Sequence, residues 1–137
     1  SQNTSKQLRE ILRKVVSSKE GTASLADKAG YIVGGKTGTA DIPCNGSYGG
    51  CGNRTSFVGA FPGWDPKYVI LISYEKPKEN HARGIMGGSS YHNAGPTAGE
   101  VIRLIAPILN VEHNPDKEVN YPIQGDLNNG LIEEGSL

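Results

Sequence analysis

The run Tyr68-Val69-Ile70-Leu71-Ile72-Ser73-Tyr74 narrows the fold more than any other segment, because both of its alternating sets are dominated by apolar residues. A strand of that kind needs cover on both faces. The pattern therefore predicts a central strand with helices on each side of its sheet. Another β-like run, Thr55 to Phe61, precedes it across Pro62-Gly63-Trp64-Asp65-Pro66-Lys67, a short connection that suits an antiparallel hairpin. A third, Tyr31 to Ala40, comes earlier still.

Helices to cover such a sheet are present at both ends. Leu8, Ile11, Leu12, Val15 and Val16 follow the i, i+3, i+4, i+7, i+8 stripe of a helix from about residue 5 to 18. Thr4 and Gln7 fit a capping box, Glu10 and Lys14 form an i,i+4 pair, and Gly21 lies just past the end. The other helix is expected over about 96–109, with Val101, Ile102, Leu104, Ile105, Ile108 and Leu109 giving a wide apolar surface. Its start reads two ways, with Pro96 at the first helical position or with Thr97 as cap and Glu100 completing a capping box. Pro107 should kink or fray the last turn. The fold class expected is α+β, an antiparallel three-stranded sheet flanked by helices.

Composition sets limits on partners and core. Fourteen basic residues balance fourteen acidic ones, which argues against nucleic acid or an anionic membrane surface as partner. Only 36% of the 137 residues are hydrophobic and 19 are glycine, so the core is modest and the loops are many. No stretch approaches the ~18 apolar residues that span a bilayer. The chain begins at Ser1 rather than at Met, and is expected to be a piece of a longer protein. From Asn110 onward apolar residues thin out, and 113–137 are expected to be a mobile polar tail behind a domain of residues 1–112. Cys44 and Cys51, separated by Asn-Gly-Ser-Tyr-Gly-Gly, fit either a small closed loop in an oxidising compartment or two free thiols. His81, His92 and His113 lack the spacing of a metal site and read as exposed loop residues.

The chemistry centres on Gly34-Gly35-Lys36-Thr37-Gly38-Thr39. With Gly30 it satisfies the phosphate-loop pattern G-x-x-x-x-G-K-[ST] letter for letter. That loop needs a strand before the first glycine and a helix after the threonine. Here Leu25-Ala26-Asp27-Lys28-Ala29 precedes and Gly38-Thr39-Ala40-Asp41-Ile42-Pro43 follows, so no helix starts in the right place. As a strand, the segment turns Lys36 and Gly38 to one side and Thr37 and Thr39 to the other, and Gly38 lets a ligand approach the backbone. An ammonium and two hydroxyls make a receptor for a carboxylate, and a backbone N–H beside them makes half of an oxyanion hole. An extended substrate would pair with this edge as an added strand. Ser73-Tyr74-Glu75-Lys76 spells Ser-x-x-Lys, but it ends a strand and meets Pro77, so lysine cannot sit one helical turn beyond serine to take its proton.

Four segments in order carry a likeness: Tyr31 to Ala40; Ser56-Phe57-Val58-Gly59-Ala60-Phe61-Pro62; Asp65-Pro66-Lys67-Tyr68-Val69-Ile70-Leu71; and Ala94-Gly95-Pro96-Thr97-Ala98-Gly99 with Ile105-Ala106-Pro107. Together they resemble the end of the transpeptidase domain of class B penicillin-binding proteins, closest to the septal cell-division type, over about positions 4 to 112. The resemblance implies a partial penicillin-binding transpeptidase/β-lactamase-like fold and a serine acyltransferase acting on D-Ala-D-Ala peptide stems, inhibited by β-lactams and using neither cofactor nor metal. Of that family's three motifs, Ser-x-x-Lys, Ser-x-Asn and Lys-Thr/Ser-Gly, the chain is read as carrying the third, with the nucleophile-bearing pair lying upstream. By residue, Lys36 would place positive charge near the substrate carboxylate, the Thr37 and Thr39 hydroxyls would hold it beside Gly38, and the Thr39 N–H would face the scissile carbonyl.

The loop Gly84 to Asn93 borders the active cleft in that family, yet no role carries over to Tyr91, His92 or Asn93. An extracytoplasmic setting, at the periplasmic face of the inner membrane, favours a Cys44–Cys51 disulfide. Partners implied are the remainder of the transpeptidase domain and cell-division proteins. Two strands that the family supplies from earlier sequence would leave an edge open beside Tyr68 to Tyr74, which implies a partner chain there or self-association. A carboxypeptidase or β-lactamase shares the third motif, and a non-catalytic binding or assembly module would use the same sheet edge differently. Phe57-Val58-Gly59-Ala60-Phe61-Pro62 favours the transpeptidase.

Overall fold

The computed structural model describes residues 1–28, 30–48, 50–83 and 86–115; most of the expected tail, 116–137, lies outside the described residues. The order of elements is α1 (Gln2–Ser17), β1 (Gly34–Asp41), β2 (Asn53–Phe61), β3 (Tyr68–Glu75) and α2 (Ala94–Ile105), with single 3-10 turns at Ser24–Ala26 and His81–Arg83. The strands form one antiparallel sheet in the order β1-β2-β3, with Thr37 opposite Phe57 and Phe57 opposite Ile72. This is the expected α+β arrangement.

Directly opposed residues share a face, so Gly35, Thr37 and Thr39 lie on the side of Phe57, Phe61 and Ile72. That side packs on α2, which in turn packs on the Ser24–Ala26 turn. Its core is Val33, Phe57, Phe61, Ala94, Ala98 and Ile102, all 1% exposed or less. Two glycines give Phe57 its place: a Cβ on Gly35 would stand 2.4 Å from its ring, and one on Gly59 2.6 Å.

The opposite face differs from expectation. α1 covers it only at the Gly34 end, where a Cβ would approach the Arg13 backbone nitrogen to 3.4 Å. Beyond that, Val58, Val69 and Leu71 stay 45%, 75% and 66% exposed. β3 is therefore an edge strand among the described residues, with one face covered rather than two. Its double-sided apolar pattern is a demand for cover that the described residues meet on one side only.

Element boundaries also shift. α1 begins at Gln2 with Ser1 as its cap, accepting from the Thr4 N–H at 3.3 Å, so Thr4 is not the cap. Its apolar stripe is buried towards the C-terminal end alone, since Leu8 and Ile11 are each 53% exposed. β1 begins at Gly34, because Ile32 has φ +46° and breaks the extended run. Ile32 is fully buried under Gly63, whose Cβ would lie 2.6 Å from it. α2 starts at Ala94, capped by the Asn93 side chain, and neither expected start holds. Pro96 then occupies the third position of the first turn, where no intrahelical donor is needed. The helix stops at Ile105, two residues short of Pro107.

Arg13 fixes how the chain enters β1. It is 2% exposed, bonds both oxygens of Asp27 at 2.6 and 3.1 Å, and donates to the Val33 carbonyl at 3.0 Å. The bidentate fork ties α1 to the residues on either side of the turn before Gly34. Lys28 reaches Glu100 on α2 at 2.6 Å, and this ammonium, with Arg103, holds the Glu100 carboxyl below the usual carboxylate range. His113, within the expected tail, packs its ring on Tyr31 at 5.1 Å, and the Asn114 N–H bonds the Gly30 carbonyl.

Candidate active site

Among the described residues β1 is an edge strand, and the hydrogen-bond parity of the ladder decides what that edge offers. The Ile42 N–H bonds the Gly52 carbonyl, so even-numbered residues of β1 direct their N–H groups to β2 and odd-numbered ones direct theirs outward. The backbone N–H groups of Thr37 and Thr39 thus face the open edge. Both residues line a hollow of about 480 Å³ together with Thr22, Ser89 and Tyr91. Lys36 starts on the opposite face, but its ammonium curls round the edge to the Thr37 carbonyl at 2.9 Å and the Thr37 hydroxyl at 3.3 Å. One cation, two hydroxyls and two outward N–H groups therefore meet along four residues, an arrangement suited to a carboxylate with a carbonyl beside it. Gly38 answers a further constraint besides ligand approach, since a Cβ there would lie 2.8 Å from the Ser56 hydroxyl on β2.

The three residues without assigned roles separate clearly. Tyr91 lines the hollow and accepts from the Ser24 hydroxyl at 3.3 Å. His92 belongs to a different groove of about 660 Å³, shared with Tyr74, Pro96 and Leu104. Asn93 is buried and structural: it caps α2, accepts from the Thr55 hydroxyl at 2.8 Å and donates to the Gly87 carbonyl at 3.1 Å. Ser90, also buried, donates to the Ser56 carbonyl at 2.5 Å. These two anchors fix the loop ahead of α2 against β2 and so set Ser89 and Tyr91 beside Thr37 and Thr39. Gly84 and Ile85 of that loop lie outside the described residues.

Cys44 and Cys51 stand with their Cα atoms 5.9 Å apart and their sulfurs bonded, closing the connection between β1 and β2. Ser73 sits in β3 opposite Ser56, and Lys76 follows the strand with φ +50°, so the Ser-x-x-Lys spelled there shares no helical turn. The N-terminus holds another false motif, since Ser1-Gln2-Asn3 spells Ser-x-Asn. Ser1 serves as the α1 cap, at the far end of a helix about 24 Å long from Thr22 and the hollow it lines.

A family model described as the penicillin binding protein transpeptidase domain matches residues 1–103. Stage V sporulation protein D of Bacillus subtilis is 38% identical over 112 residues, covering 82% of this chain and 16% of that protein. A probable peptidoglycan D,D-transpeptidase FtsI of Caulobacter vibrioides is 36% identical over 124 residues, with 85% of this chain and 21% of the relative covered. Among solved structures, the apo transpeptidase domain of penicillin-binding protein 3 from Burkholderia pseudomallei superposes with a TM-score of 0.69 at 33% identity, covering 83% of this chain and 32% of that one. Penicillin-binding protein 3 from Mycobacterium tuberculosis, complexed with ampicillin, gives a TM-score of 0.67 at 31% identity over 85% of this chain and 26% of the other. The chain spans about a fifth of the length of the curated relatives it matches.

Proposed function

The chain belongs to the penicillin-binding protein transpeptidase family, and from that premise we propose that it is the C-terminal part of a septal-type class B D,D-transpeptidase. It supplies the strand that receives the terminal carboxylate of a D-Ala-D-Ala stem, or the equivalent carboxylate of a β-lactam. The observation that carries this is the open edge of β1, where the Thr37 and Thr39 hydroxyls, their outward N–H groups and the Lys36 ammonium converge. Lys36 neutralises the carboxylate, Thr37 and Thr39 orient it, and the Thr39 N–H stabilises the oxyanion that forms when a serine from elsewhere attacks the carbonyl.

The exposed face around Val58, Val69 and Leu71, and the free edge of β3, are where the remainder of the transpeptidase domain packs. The mature protein works at the periplasmic face of the inner membrane, a setting compatible with the Cys44–Cys51 bond.

Neither the Ser73 nor the Ser1 motif sits in an activating constellation, so the isolated chain should be inert. Incubated with a fluorescent penicillin and run on a denaturing gel, it should stay unlabelled, while a longer polypeptide joining it to an upstream Ser-x-x-Lys segment should label. A labelled band from the 137-residue chain alone would overturn the assignment.

A further inference from the structure

Thr22 lies outside β1, in the turn after α1, yet its hydroxyl accepts a hydrogen bond from the Thr37 hydroxyl at 3.1 Å. That turn is built, not loose. The Gly21 N–H bonds the Ser18 carbonyl at 2.9 Å, the Ala23 N–H bonds the Val15 carbonyl at 3.3 Å, and Ala23 is fully buried. A Cβ on Gly21 would stand 2.2 Å from the Val15 carbonyl oxygen, so only glycine lets the chain fold back and present Thr22 at this point.

Counting donors shows what the pair must do when an anion arrives. A threonine hydroxyl has one proton to give and two lone pairs. In the structure Thr37 gives its proton to Thr22 and receives an N–H from Lys36 at 3.3 Å. To hold a carboxylate it must turn that proton outward, and Thr22 can then rotate its own proton onto the Thr37 oxygen. Thr37 Oγ1 would at that point accept from Lys36 and Thr22 and donate to the ligand, with its full capacity used. We infer that Thr22 is a positioning residue for carboxylate recognition, acting through Thr37 as a reversible two-hydroxyl relay. This rests on the reading of β1 as the carboxylate-receiving strand.

The test compares Thr22→Val, Thr22→Ser and, as a control on that reading, Thr37→Val in the intact transpeptidase. Acylation efficiency is measured with a penicillin and with its carboxylate methyl ester. Loss of the relay should lower efficiency towards the free carboxylate by about 3- to 10-fold, the scale of one hydrogen bond between neutral groups, leave the ester nearly unaffected, and be rescued by Thr22→Ser. Equal efficiency in Thr22→Val and wild type, with Thr37→Val impaired, would overturn the relay and spare the strand. An equal loss for acid and ester in Thr22→Val would make the residue merely structural and also overturn it. If Thr37→Val itself behaves as wild type, the carboxylate-receiving reading of β1 fails first, and the relay with it.

Discussion

Lys36→Ala in the intact transpeptidase should lower acylation by a penicillin roughly tenfold or more, the consequence of deleting a charge-assisted contact. The side chain is exposed and its ammonium bonds the carbonyl and hydroxyl of Thr37, so its removal leaves the core of the sheet untouched. The loss should therefore appear in the acylation rate constant and in affinity while the melting temperature stays close to wild type. Lys36→Arg is a useful companion: it keeps the charge, but a rigid planar fork cannot reproduce a compact ammonium curled over the strand edge, so only partial recovery is expected. Acylation kinetics unchanged in Lys36→Ala would refute the role given to this residue.

The other large effect is on stability. Phe57→Ala should cost about 3–5 kcal/mol, the range for removing a fully buried aromatic ring and leaving its cavity. The ring is 0% exposed and lies across Gly35 and Gly59, so its loss opens a void under the strand that carries the site. Neighbouring backbone cannot collapse into it without breaking the β1–β2 register. Against a total stability of about 5–15 kcal/mol for a typical domain, that is a large fraction. Urea denaturation followed by circular dichroism should show the midpoint falling with the slope unchanged. A cost under about 1 kcal/mol would mean that β1 is held to β2 by something other than packing across Phe57.

The sheet and the site strand are legible in the sequence because each leaves a short-range signature. Alternating apolar residues and a short Pro- and Gly-containing connection mark β2 and β3, and the glycine- and hydroxyl-rich run 34–39, with no helix able to follow it, reads as a polar strand edge. The features that are not legible are set by contacts distant in sequence. Ile32 has the composition of a strand residue, yet it lies buried beneath Gly63 with φ +46°, and no local preference announces that. Thr22 is one polar residue in a turn; its link to Thr37, fifteen positions on, exists only after α1 and β1 have packed.

Asn93 stands between these cases. An asparagine directly before Ala-Gly-Pro is an N-cap signal, although Pro96 and Thr97 offer competing helix starts in the next few residues. Its additional bond to Thr55 has no local signal, because it joins residues 38 apart. The stripe on α1 predicts one buried face, whereas Leu8 and Ile11 remain half exposed: periodicity shows which side of a helix is apolar, and only the tertiary structure shows how far along that side is covered. Both those residues and the open face of β2 and β3 are surfaces that the rest of a transpeptidase domain would bury.

The most direct measurement of the central claim is a crystal structure of the intact enzyme acylated by a penicillin. The ligand carboxylate should lie within hydrogen-bond distance of the Thr37 and Thr39 hydroxyls, with the Lys36 ammonium nearby and the acyl carbonyl oxygen on the Thr39 N–H. A carboxylate held by groups outside Gly34–Asp41, with the Thr39 N–H turned to solvent, would contradict it.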